Sequence, residues 1–458
     1  MSMSAAETLS KGQKRLLIIF GLLLAVSLVL YFQSTVITIL AFLTAFYLIH
    51  VIFSFYMLIR SMFYGQEIII TKEEIDNFKN WPKYTILCPL YKEANMLPDY
   101  VLNMSAIDYP KERLECLLLL EEDDRDTIKA AREFGLPDYF KIVVVPDSYP
   151  KTKPKACNFG LAQATGDFVV IYDAEDLPET DQLKKAILAF RKANRDVACI
   201  QAKLNYYNPN HNFLTRMFTS EYTLWFDLIL PGFQSINAPI PLGGTSNHFP
   251  TKILRLLNGW DPYNVTEDCD LGLRLKEAGF KTEILDSTTW EEANCNLKNW
   301  IRQRSRWIKG YFQTFLVHGR TPIYTIRKIG FLNTMLFGLF TGFLPFASMI
   351  NPFLWLTTIS YFALRPIIGE TIEQFFPGYI LYPSAFCLIV GNFLYIYNYL
   401  VGSSKRGYDG LVKYGLLMPV YWLLISFAGW YGLIQLTFKP HFWEKTKHGL
   451  SKIKETNA

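Results

Sequence analysis

The chain has 458 residues, of which 50% are hydrophobic, 16% aromatic and 19% charged. This composition is too apolar for an ordinary soluble protein and too charged for a purely integral one, so membrane helices attached to a water-soluble domain are expected. The formal net charge of +5 fits basic residues beside membrane spans. No basic stripe interleaved with aromatic residues is present, so nucleic acid is not expected as a partner. The seven cysteines form no C-x-x-C pair, which predicts free thiols in a reducing compartment.

Two apolar runs open the chain, residues 16–32 and 35–59, and each can cross a hydrocarbon core about 30 Å thick. They make residues 1–65 a pair of transmembrane helices. A cleaved signal peptide is the alternative for the first run, but no small-residue cleavage site is clear and a second span follows at once. Basic residues before the first span, and Arg60 after the second, place both ends of this hairpin in the cytoplasm.

Residues 66–297 contain no stretch that could span a membrane and instead alternate β-rich runs with helical patterns, as α/β domains do. The expected strands are 84–89, 115–121, 141–145, 168–172, 197–201 and 282–285. The expected helices are 94–105, 126–134, 155–164 and 180–193. Open α/β sheets bind ligands beyond the carboxyl ends of their strands, so functional side chains are expected there.

The last third of the chain is aromatic and basic at first and then apolar again. Residues 298–329 are expected to be interfacial amphipathic helices, and residues 330–437 about four transmembrane helices. The four expected spans are 331–347, 352–364, 380–401 and 411–436, with a break at Asn351–Pro352. This arrangement places Lys405 and Arg406 outside the cytoplasm, although basic residues of short loops tend to lie inside it. It also brings the tail, residues 438–458, back to the cytoplasm or the membrane interface.

Strand 168–172 is followed by three carboxylates in four residues, Asp173, Glu175 and Asp176. Hard divalent ions take oxygen ligands and commonly bridge carboxylates to phosphates. The i,i+2 spacing of Asp173 and Glu175 suits two ligands that converge on one ion. The alternative is a solvated acidic turn or a helix N-cap, because Pro178 and Thr180 open a helix there.

A second acidic cluster, Glu121-Glu122-Asp123-Asp124, follows the strand at 115–121. Glu121 adjoins the apolar run, and a carboxylate at that position can accept hydrogen bonds from a nucleobase. An exposed charged turn is the alternative, and it is favoured for Asp123 and Asp124.

Two further motifs stand before the C-terminal apolar region. Thr266-Glu267-Asp268 precedes an amphipathic helix, where a carboxylate serves either as a general base for an attacking hydroxyl or only as an N-cap. Gln303-Arg304-Ser305-Arg306-Trp307 lies in a basic, aromatic helix that suits the membrane interface. Trp307 can at the same time stack on a sugar ring while Arg306 pairs with a diphosphate.

In their order and chemistry these motifs resemble the membrane-bound family 2 glycosyltransferases, specifically the cellulose-synthase-like and hyaluronan-synthase-like branch. The resemblance covers residues 84–313 and rests on Cys88-Pro89-Leu90-Tyr91-Lys92-Glu93, Glu121-Glu122, Lys155-Ala156-Cys157-Asn158, Asp173-Ala174-Glu175, Thr266-Glu267-Asp268 and Gln303-x-x-Arg306-Trp307. It implies a GT-A-like, Rossmann-type α/β domain inserted between transmembrane helices. Glu175 and the Glu121-Glu122 pair stand where the family usually has aspartates, which leaves the ligand set open but keeps the charge.

The resemblance also implies a role for each matching residue. Asp268, beside Glu267, would be the catalytic base. Asp173 and Glu175 would hold Mg²⁺ or Mn²⁺ on the donor diphosphate. The residues implied to bind the donor are Pro89, Tyr91, Glu93, Glu121, Lys155 and Asp173, and those implied to frame the diphosphate and acceptor are Gln303, Arg306 and Trp307.

The expected function is inverting sugar transfer from a nucleotide-sugar, expected to be a UDP-sugar, to a growing polysaccharide that passes through the membrane helices. A glycolipid synthase that adds one sugar to a lipid is the alternative. A transporter or receptor is disfavoured because the presumed spans hold very few ionisable residues, His50 being the clearest. The expected location is a bacterial inner membrane with the catalytic domain in the cytoplasm, and an export partner or homo-oligomer stays open.

Overall fold

The computed structural model describes residues 3–65, 67–446 and 449. Its central sheet contains β1 Tyr84–Leu90, β2 Leu114–Glu121, β3 Phe140–Val145, β4 Phe168–Ile171, β5 Leu177–Pro178, β6 Val197–Tyr206, β7 Asn247–Pro250 and β8 Lys281–Glu291. The strand order is β3-β2-β1-β4-β7-β6-β8-β5. β1 is parallel to β2 and β4, β2 to β3, and β6 to β8, whereas β7 is antiparallel to both of its neighbours. The predicted α/β fold with attached helical segments is confirmed.

The helices fall into three groups along the chain. The N-terminal pair is α1 Lys11–Leu30 and α2 Phe32–Tyr64. The sheet domain contains α3 Lys72–Asn77, α4 Leu97–Ser105, α5 Arg125–Glu133, α6 Lys153–Gln163, α7 Gln182–Lys192, α8 Phe213–Leu224, α9 Leu230–Ser235, α10 Thr251–Leu256 and α11 Glu267–Glu277. The C-terminal group is α12 Leu297–His318, α13 Pro322–Ile329, α14 Phe331–Gly338, α15 Leu344–Ala363, α16 Arg365–Glu373, α17 Gly378–Phe386, α18 Asn392–Lys405, α19 Asp409–Val412 and α20 Met418–Phe438.

The sheet exists because its strands are apolar on both faces. Every residue of β2 and β6 is buried, and six of the seven residues of β1 are. Strands covered on both sides by helices have this continuous pattern, in contrast to the alternating pattern of a half-exposed sheet. The six strands expected from the sequence are all present. β5 and β7 were not expected, because one has two residues and the other begins with Asn247 and His248.

The described residues include five helical segments long and apolar enough to cross a membrane, 11–30, 32–64, 331–363, 378–405 and 409–438. The expected break at Asn351–Pro352 is wrong. α15 continues through Pro352, and α14 joins α15 through a π-helical turn, so 331–363 is one segment. A proline removes one hydrogen bond of the helix and bends it, but the apolar neighbours on both sides still favour helix.

This correction also changes where the next loop lies. Because 331–363 is one continuous segment, the next one, 378–405, ends at the sheet domain. There Arg406 Nε lies 2.6 Å from Asp227 Oδ2, and Lys405 Nζ lies 3.2 Å from Glu67 Oε1. Lys405 and Arg406 therefore pack against acidic residues of the sheet domain, whereas the predicted topology separates them from it.

The last long helix, α20, is held to the sheet-domain side at both ends. Near its start the Tyr421 hydroxyl donates to Glu221 on α8 at 2.7 Å. Near its end Gln435 accepts a hydrogen bond from Lys309 on α12 at 3.1 Å. Between these points Gly432 lets the two helices touch, since an added Cβ would lie 2.7 Å from the Ser305 carbonyl oxygen. α20 thus lies along α12.

Candidate active site

The first group of site residues lies where β4 ends. Asp173 and Glu175 both line a large cavity, whereas Asp176 turns into the protein and is fully buried. One oxygen of Asp176 accepts the Asp173 amide at 2.7 Å and the Thr245 hydroxyl. Burial, followed by the charges of Asp173 and Glu175, raises the pKa of Asp176 well above its usual range. Asp176 therefore shapes the turn, and the other two carboxylates face the cavity.

The second group lies at the neighbouring ends of β1 and β2. Lys155 Nζ contacts Glu121 Oε2 at 2.7 Å, and both side chains are mostly buried. Tyr91 donates to Asp123 at 3.2 Å, and Glu93 pairs with Lys445 at 3.0 Å. Pro89 is the last but one residue of β1, directly before this turn. Apart from Asp173, the residues predicted to bind the donor thus lie along one edge of the sheet, outside the cavity that Asp173 lines.

The Thr266-Glu267-Asp268 motif begins α11, and both carboxylates line the cavity. Burial, and then the neighbouring Asp268, raises the pKa of Glu267 to about 8. Burial also raises the pKa of Asp268, although Lys153 and Arg306 oppose the shift. A carboxylate with a raised pKa holds a proton more readily, which is the property a general base requires.

The QxxRW residues lie on α12 and face the same cavity. Gln303 accepts a hydrogen bond from Asn294 at 2.7 Å. Arg306 donates to the Val265 carbonyl at 3.3 Å, next to the Thr266-Glu267-Asp268 motif. The Trp307 ring lies parallel to Tyr222, with 6.2 Å between ring centroids. Helix α12 therefore brings one cation and one aromatic face to the carboxylates of α11.

Two further groups in the cavity wall were missed by the sequence analysis. Lys153, two residues before the predicted Lys155, contacts Asp173 at 2.6 Å. Glu221 on α8 binds Arg304 at 2.8 Å, and Arg304 in turn lies 4.9 Å from the centre of the Trp307 ring. The lysine pair in Lys153-Pro154-Lys155 was a visible signal for the first. Nothing in the sequence pointed to Glu221, which reaches the site only through folding of α8.

The C-terminal tail, as far as residue 446, packs against the site. The Arg306 guanidinium lies over the Trp443 ring, 4.3 Å from its centroid. Glu444 lies 3.3 Å from Arg302, and Thr446 lines the cavity. The tail was expected to be cytoplasmic or interfacial. The cation–π contact with the partly buried Arg306 gives the Trp443 ring a partner inside the protein.

The cavity has a volume of about 1140 Å³ and extends from the carboxylates into the helical part of the molecule. Its far half is lined by residues of α2, α15, α17 and α18, and also by Phe375 and Phe376. Three π-helical turns, 225–229, 339–343 and 387–391, contribute to its wall. Such turns interrupt helices and are frequent at functional sites. A long acceptor can therefore reach Asp268 from the helices.

Polar groups interrupt the apolar wall of the far half. His50 Nδ1, Tyr395 Oη and Asn398 Oδ1 are buried without a hydrogen-bond partner in the described structure. All three residues line the cavity, as do Trp355 and Trp422, whose rings lie 6.2 Å apart. Aromatic faces and unsatisfied polar atoms together suit a ligand that has both apolar ring faces and hydroxyl groups.

The carboxylates at the end of β4 fit a divalent cation. No group of three histidine, cysteine or acidic side chains among the described residues could hold a metal by itself. Asp173 and Glu175 nevertheless supply two oxygen ligands to one cavity, and Glu291 lines it beside them. Burial, followed by the charges of Asp176, Glu175 and Asp173, raises the pKa of Glu291 well above its usual range. Ions that keep waters and bind phosphate oxygens need only one or two such protein ligands.

Comparison with known proteins decides the family. The sequence model of glycosyl transferase family group 2 matches residues 168–400, just over half of the chain. The chain belongs to this family. The match begins at β4 and includes Asp173, Asp268 and Arg306 of this glycosyltransferase. It ends in α18, so the helices that line the cavity are largely inside it.

Two relatives resemble this glycosyltransferase over most of its length. A probable glycosyltransferase of Bacillus subtilis, YdaM, is 27% identical over 283 residues, which cover 60% of this chain and 66% of the relative. The β-monoglucosyldiacylglycerol synthase of Synechocystis is 24% identical over 352 residues, 70% of each chain. The alignments therefore leave about a third of each relative unmatched.

Two solved structures also match part of the chain. The mannosyltransferase PcManGT of Pyrobaculum calidifontis, solved with GDP-Man and Mn²⁺, is 19% identical, with a TM-score of 0.48 over 78% of this chain and 99% of that one. Residues 1–349 of TarS from S. aureus are 13% identical, with a TM-score of 0.38 over 72% of this chain and 90% of that one.

Proposed function

We propose that this glycosyltransferase transfers a sugar, with inversion, from a UDP-sugar to a growing polysaccharide, as the cellulose-synthase-like branch does. The observation that carries the proposal is the single cavity that joins Asp173, Asp268 and Trp307 to the apolar helices. Its buried, unpartnered polar atoms and paired tryptophans support a saccharide in the far half. Product would then move through the helices as the chain grows.

Each site residue has a chemical task in this proposal. Asp268 takes the proton from the acceptor hydroxyl as that hydroxyl attacks the anomeric carbon opposite the leaving diphosphate. Trp307 supports the acceptor ring, Gln303 orients it, and Arg306 faces the charge that develops on the diphosphate. Glu267 is the second buried carboxyl group at the start of α11, next to the proposed base.

In this proposal two groups of residues bind the donor, one at the ends of β1 and β2 and one in the cavity. Glu121 with Lys155, and the turn from Pro89 through Tyr91 to Glu93, offer polar groups to the base and ribose at the outer edge. Asp173 and Glu175 would hold Mg²⁺ or Mn²⁺, which supplies positive charge to the leaving diphosphate when it is bound.

The membrane arrangement follows from the contacts of the helix ends. We propose four crossings, by α1, α2, α14 with α15, and α17 with α18, with the catalytic domain in the cytoplasm of a bacterial cell. Gln33, in the α1–α2 hairpin, donates to the Gln374 carbonyl at 3.4 Å, which supports a common location for these two turns, away from the sheet domain. α20 stays at the interface.

Transfer of one sugar to a lipid is the second candidate function. It is favoured by the mainly apolar wall of the far half, which includes Leu40, Leu43, Leu354 and Leu388. The name of the Synechocystis relative, a diacylglycerol glycolipid synthase, supports the same acceptor class. Site chemistry is the same in both cases, and only the acceptor differs.

Nucleotide release tests the shared chemistry directly. The purified full chain would be incubated with a panel of nucleotide-sugars, with and without Mn²⁺, in lipid. We expect UDP release from one UDP-sugar, dependent on the metal and lost in Asp268→Asn. UDP release that continues undiminished in Asp268→Asn would remove the proposed base, and release that is unchanged by a chelator would remove the metal.

A further inference from the structure

Lys153 occupies the centre of the site. It is the first residue of α6, and its side chain is only 14% exposed. Its ammonium lies 2.6 Å from each carboxylate oxygen of Asp173 and donates to the Gly244 carbonyl at 2.7 Å. Both oxygens of the predicted metal ligand therefore face a lysine of the same chain.

Carboxylates surround this lysine. An ammonium is positively charged at neutral pH, and both Asp173 and Glu267 attract it here. An added Cβ at Gly244 would lie 3.6 Å from Asp268 and 4.0 Å from Lys153, so this glycine adjoins both side chains. Lys153 therefore carries its positive charge against Asp173 and in the neighbourhood of the carboxylates at the start of α11.

A lysine in this position competes with a divalent ion for the same carboxylate. A metal that binds Asp173 has to displace or share the ammonium, and it meets the repulsion of a positive charge a few ångströms away in a poorly hydrated site. A diphosphate changes this balance because it brings negative charge and oxygen atoms that an ammonium can contact. Lys155 cannot have this role, since its ammonium is engaged by Glu121 at 2.7 Å.

We propose that the Lys153 ammonium occupies the carboxylate of Asp173 when no donor is bound, so that metal binding by Asp173 depends on the donor diphosphate. When the donor enters, the ammonium leaves Asp173 for the diphosphate and Asp173 becomes a metal ligand with Glu175. Lys153 then also faces the leaving group. This inference rests on the proposed nucleotide-sugar chemistry of the site.

Binding of Mn²⁺ in the absence of sugar transfer tests the inference. Mn²⁺ would be titrated into the detergent-purified full chain, with and without UDP, and the free ion followed by electron paramagnetic resonance. We expect Lys153→Met to bind Mn²⁺ at least ten-fold more tightly than the wild type without UDP. Addition of UDP should then tighten binding strongly in the wild type and much less in the variant.

Two control variants test whether the effect is specific to the position and the charge of Lys153. Lys155→Met removes a lysine of the same helix whose ammonium lies on Glu121, and we expect its Mn²⁺ affinity without UDP to match the wild type. Lys153→Arg keeps the positive charge and should also match it. Circular dichroism would verify that each variant is folded.

The outcomes separate the inference from the proposed function. Mn²⁺ affinity that is equal in the wild type and in folded Lys153→Met would overturn the inference, even if the wild type transfers sugar normally. Tighter binding in Lys153→Arg as well would also overturn it, because charge would then not be the cause. A failure of the wild type to release nucleotide from any donor would instead contradict the proposed function, and that is measured in a separate assay.

Discussion

At the scale of single residues, the proposed chemistry depends most on Asp268. Without its charge, no carboxylate at that position can take the proton of the acceptor hydroxyl. General-base catalysis contributes roughly 10² to 10⁴-fold to a rate. We expect Asp268→Asn to lower the rate of sugar transfer by about 10³-fold with little change in melting temperature. Asp196→Asn, at a partly exposed aspartate that pairs with Lys281, is the matched control and should stay within about two-fold.

Glu221 supports the ring on which the acceptor is proposed to rest. It fixes Arg304, and Arg304 lies against the faces of Trp307, Phe218 and Trp300. We expect Glu221→Gln to raise KM for the acceptor about ten-fold, with a smaller change in kcat, because it loosens Trp307 without removing a reacting group. A fall in kcat with an unchanged KM would contradict this positioning role.

The sequence located some of these residues and not others, for physical reasons. Asp173, Asp268 and Arg306 lie in compact motifs at element ends, so their convergence could be predicted from an open α/β sheet. Lys153 and Lys155 are two residues apart on a helix and therefore point in different directions. Which of the two faces Asp173 depends on the rotation of α6, and that is set by packing, not by local sequence.

At the scale of elements, α12 has to approach α11 very closely. An added Cβ at Gly310 would lie 2.4 Å from Thr266 Oγ1 and 2.5 Å from Thr266 Cγ2, so the helix or the motif must move. We expect Gly310→Ala to lower the transfer rate at least ten-fold by displacing Asp268. Gly338→Ala is the matched control, since its nearest neighbour, a Phe315 carbon, is 3.6 Å away, and it should behave like the wild type.

The end of α12 is joined to α11 by a buried ion pair. His318 Nε2 lies 2.9 Å from Asp270, and despite burial the hydrogen bonds to Asp270 and Glu277 raise the pKa of His318 to about 9. A histidine whose pKa is raised on folding stabilises the protein fully below its unfolded pKa of about 6.5 and ceases to do so as the pH rises through 9. We expect the melting temperature to fall between pH 6.5 and pH 9, by on the order of 5 °C.

The matching variant is His318→Gln, which cannot be protonated in this range. Its melting temperature, followed by scanning fluorimetry in the same detergent, should be lower than that of the wild type at pH 6.5 and nearly constant up to pH 9. A decline with pH as steep as that of the wild type would show that another group is responsible.

Element boundaries illustrate the limit of the sequence pattern. Strands with continuous apolar runs, such as β2, were predicted to within a residue or two. The helix through Pro352 was not, because the usual effect of proline in water does not apply where helix is strongly favoured by apolar surroundings. α20 is long and apolar enough to cross a membrane, and its contacts with Glu221 and Lys309 are the reason for the proposal that it stays at the interface.

At the scale of the whole molecule, the contacts of the helix ends predict which loops share a side. Exposed positions Asp409, Thr437 and Gln374 would each be changed to cysteine in a background that lacks Cys295 and Cys387. In intact cells a membrane-impermeant maleimide should label only Gln374→Cys. In inside-out vesicles it should label the other two. Labelling of Thr437→Cys from outside would mean that α20 crosses the membrane.

The size of the product tests the central proposal most directly, because the cavity is argued to hold a growing saccharide. The purified chain in lipid nanodiscs would be supplied with Mn²⁺ and the radiolabelled nucleotide-sugar that gives nucleotide release, and the product separated by size and by solvent extraction. We predict a water-soluble polymer of many sugars, lost in Asp268→Asn. A single-sugar lipid that extracts into organic solvent, as the only product, would contradict the polysaccharide proposal and establish the lipid acceptor.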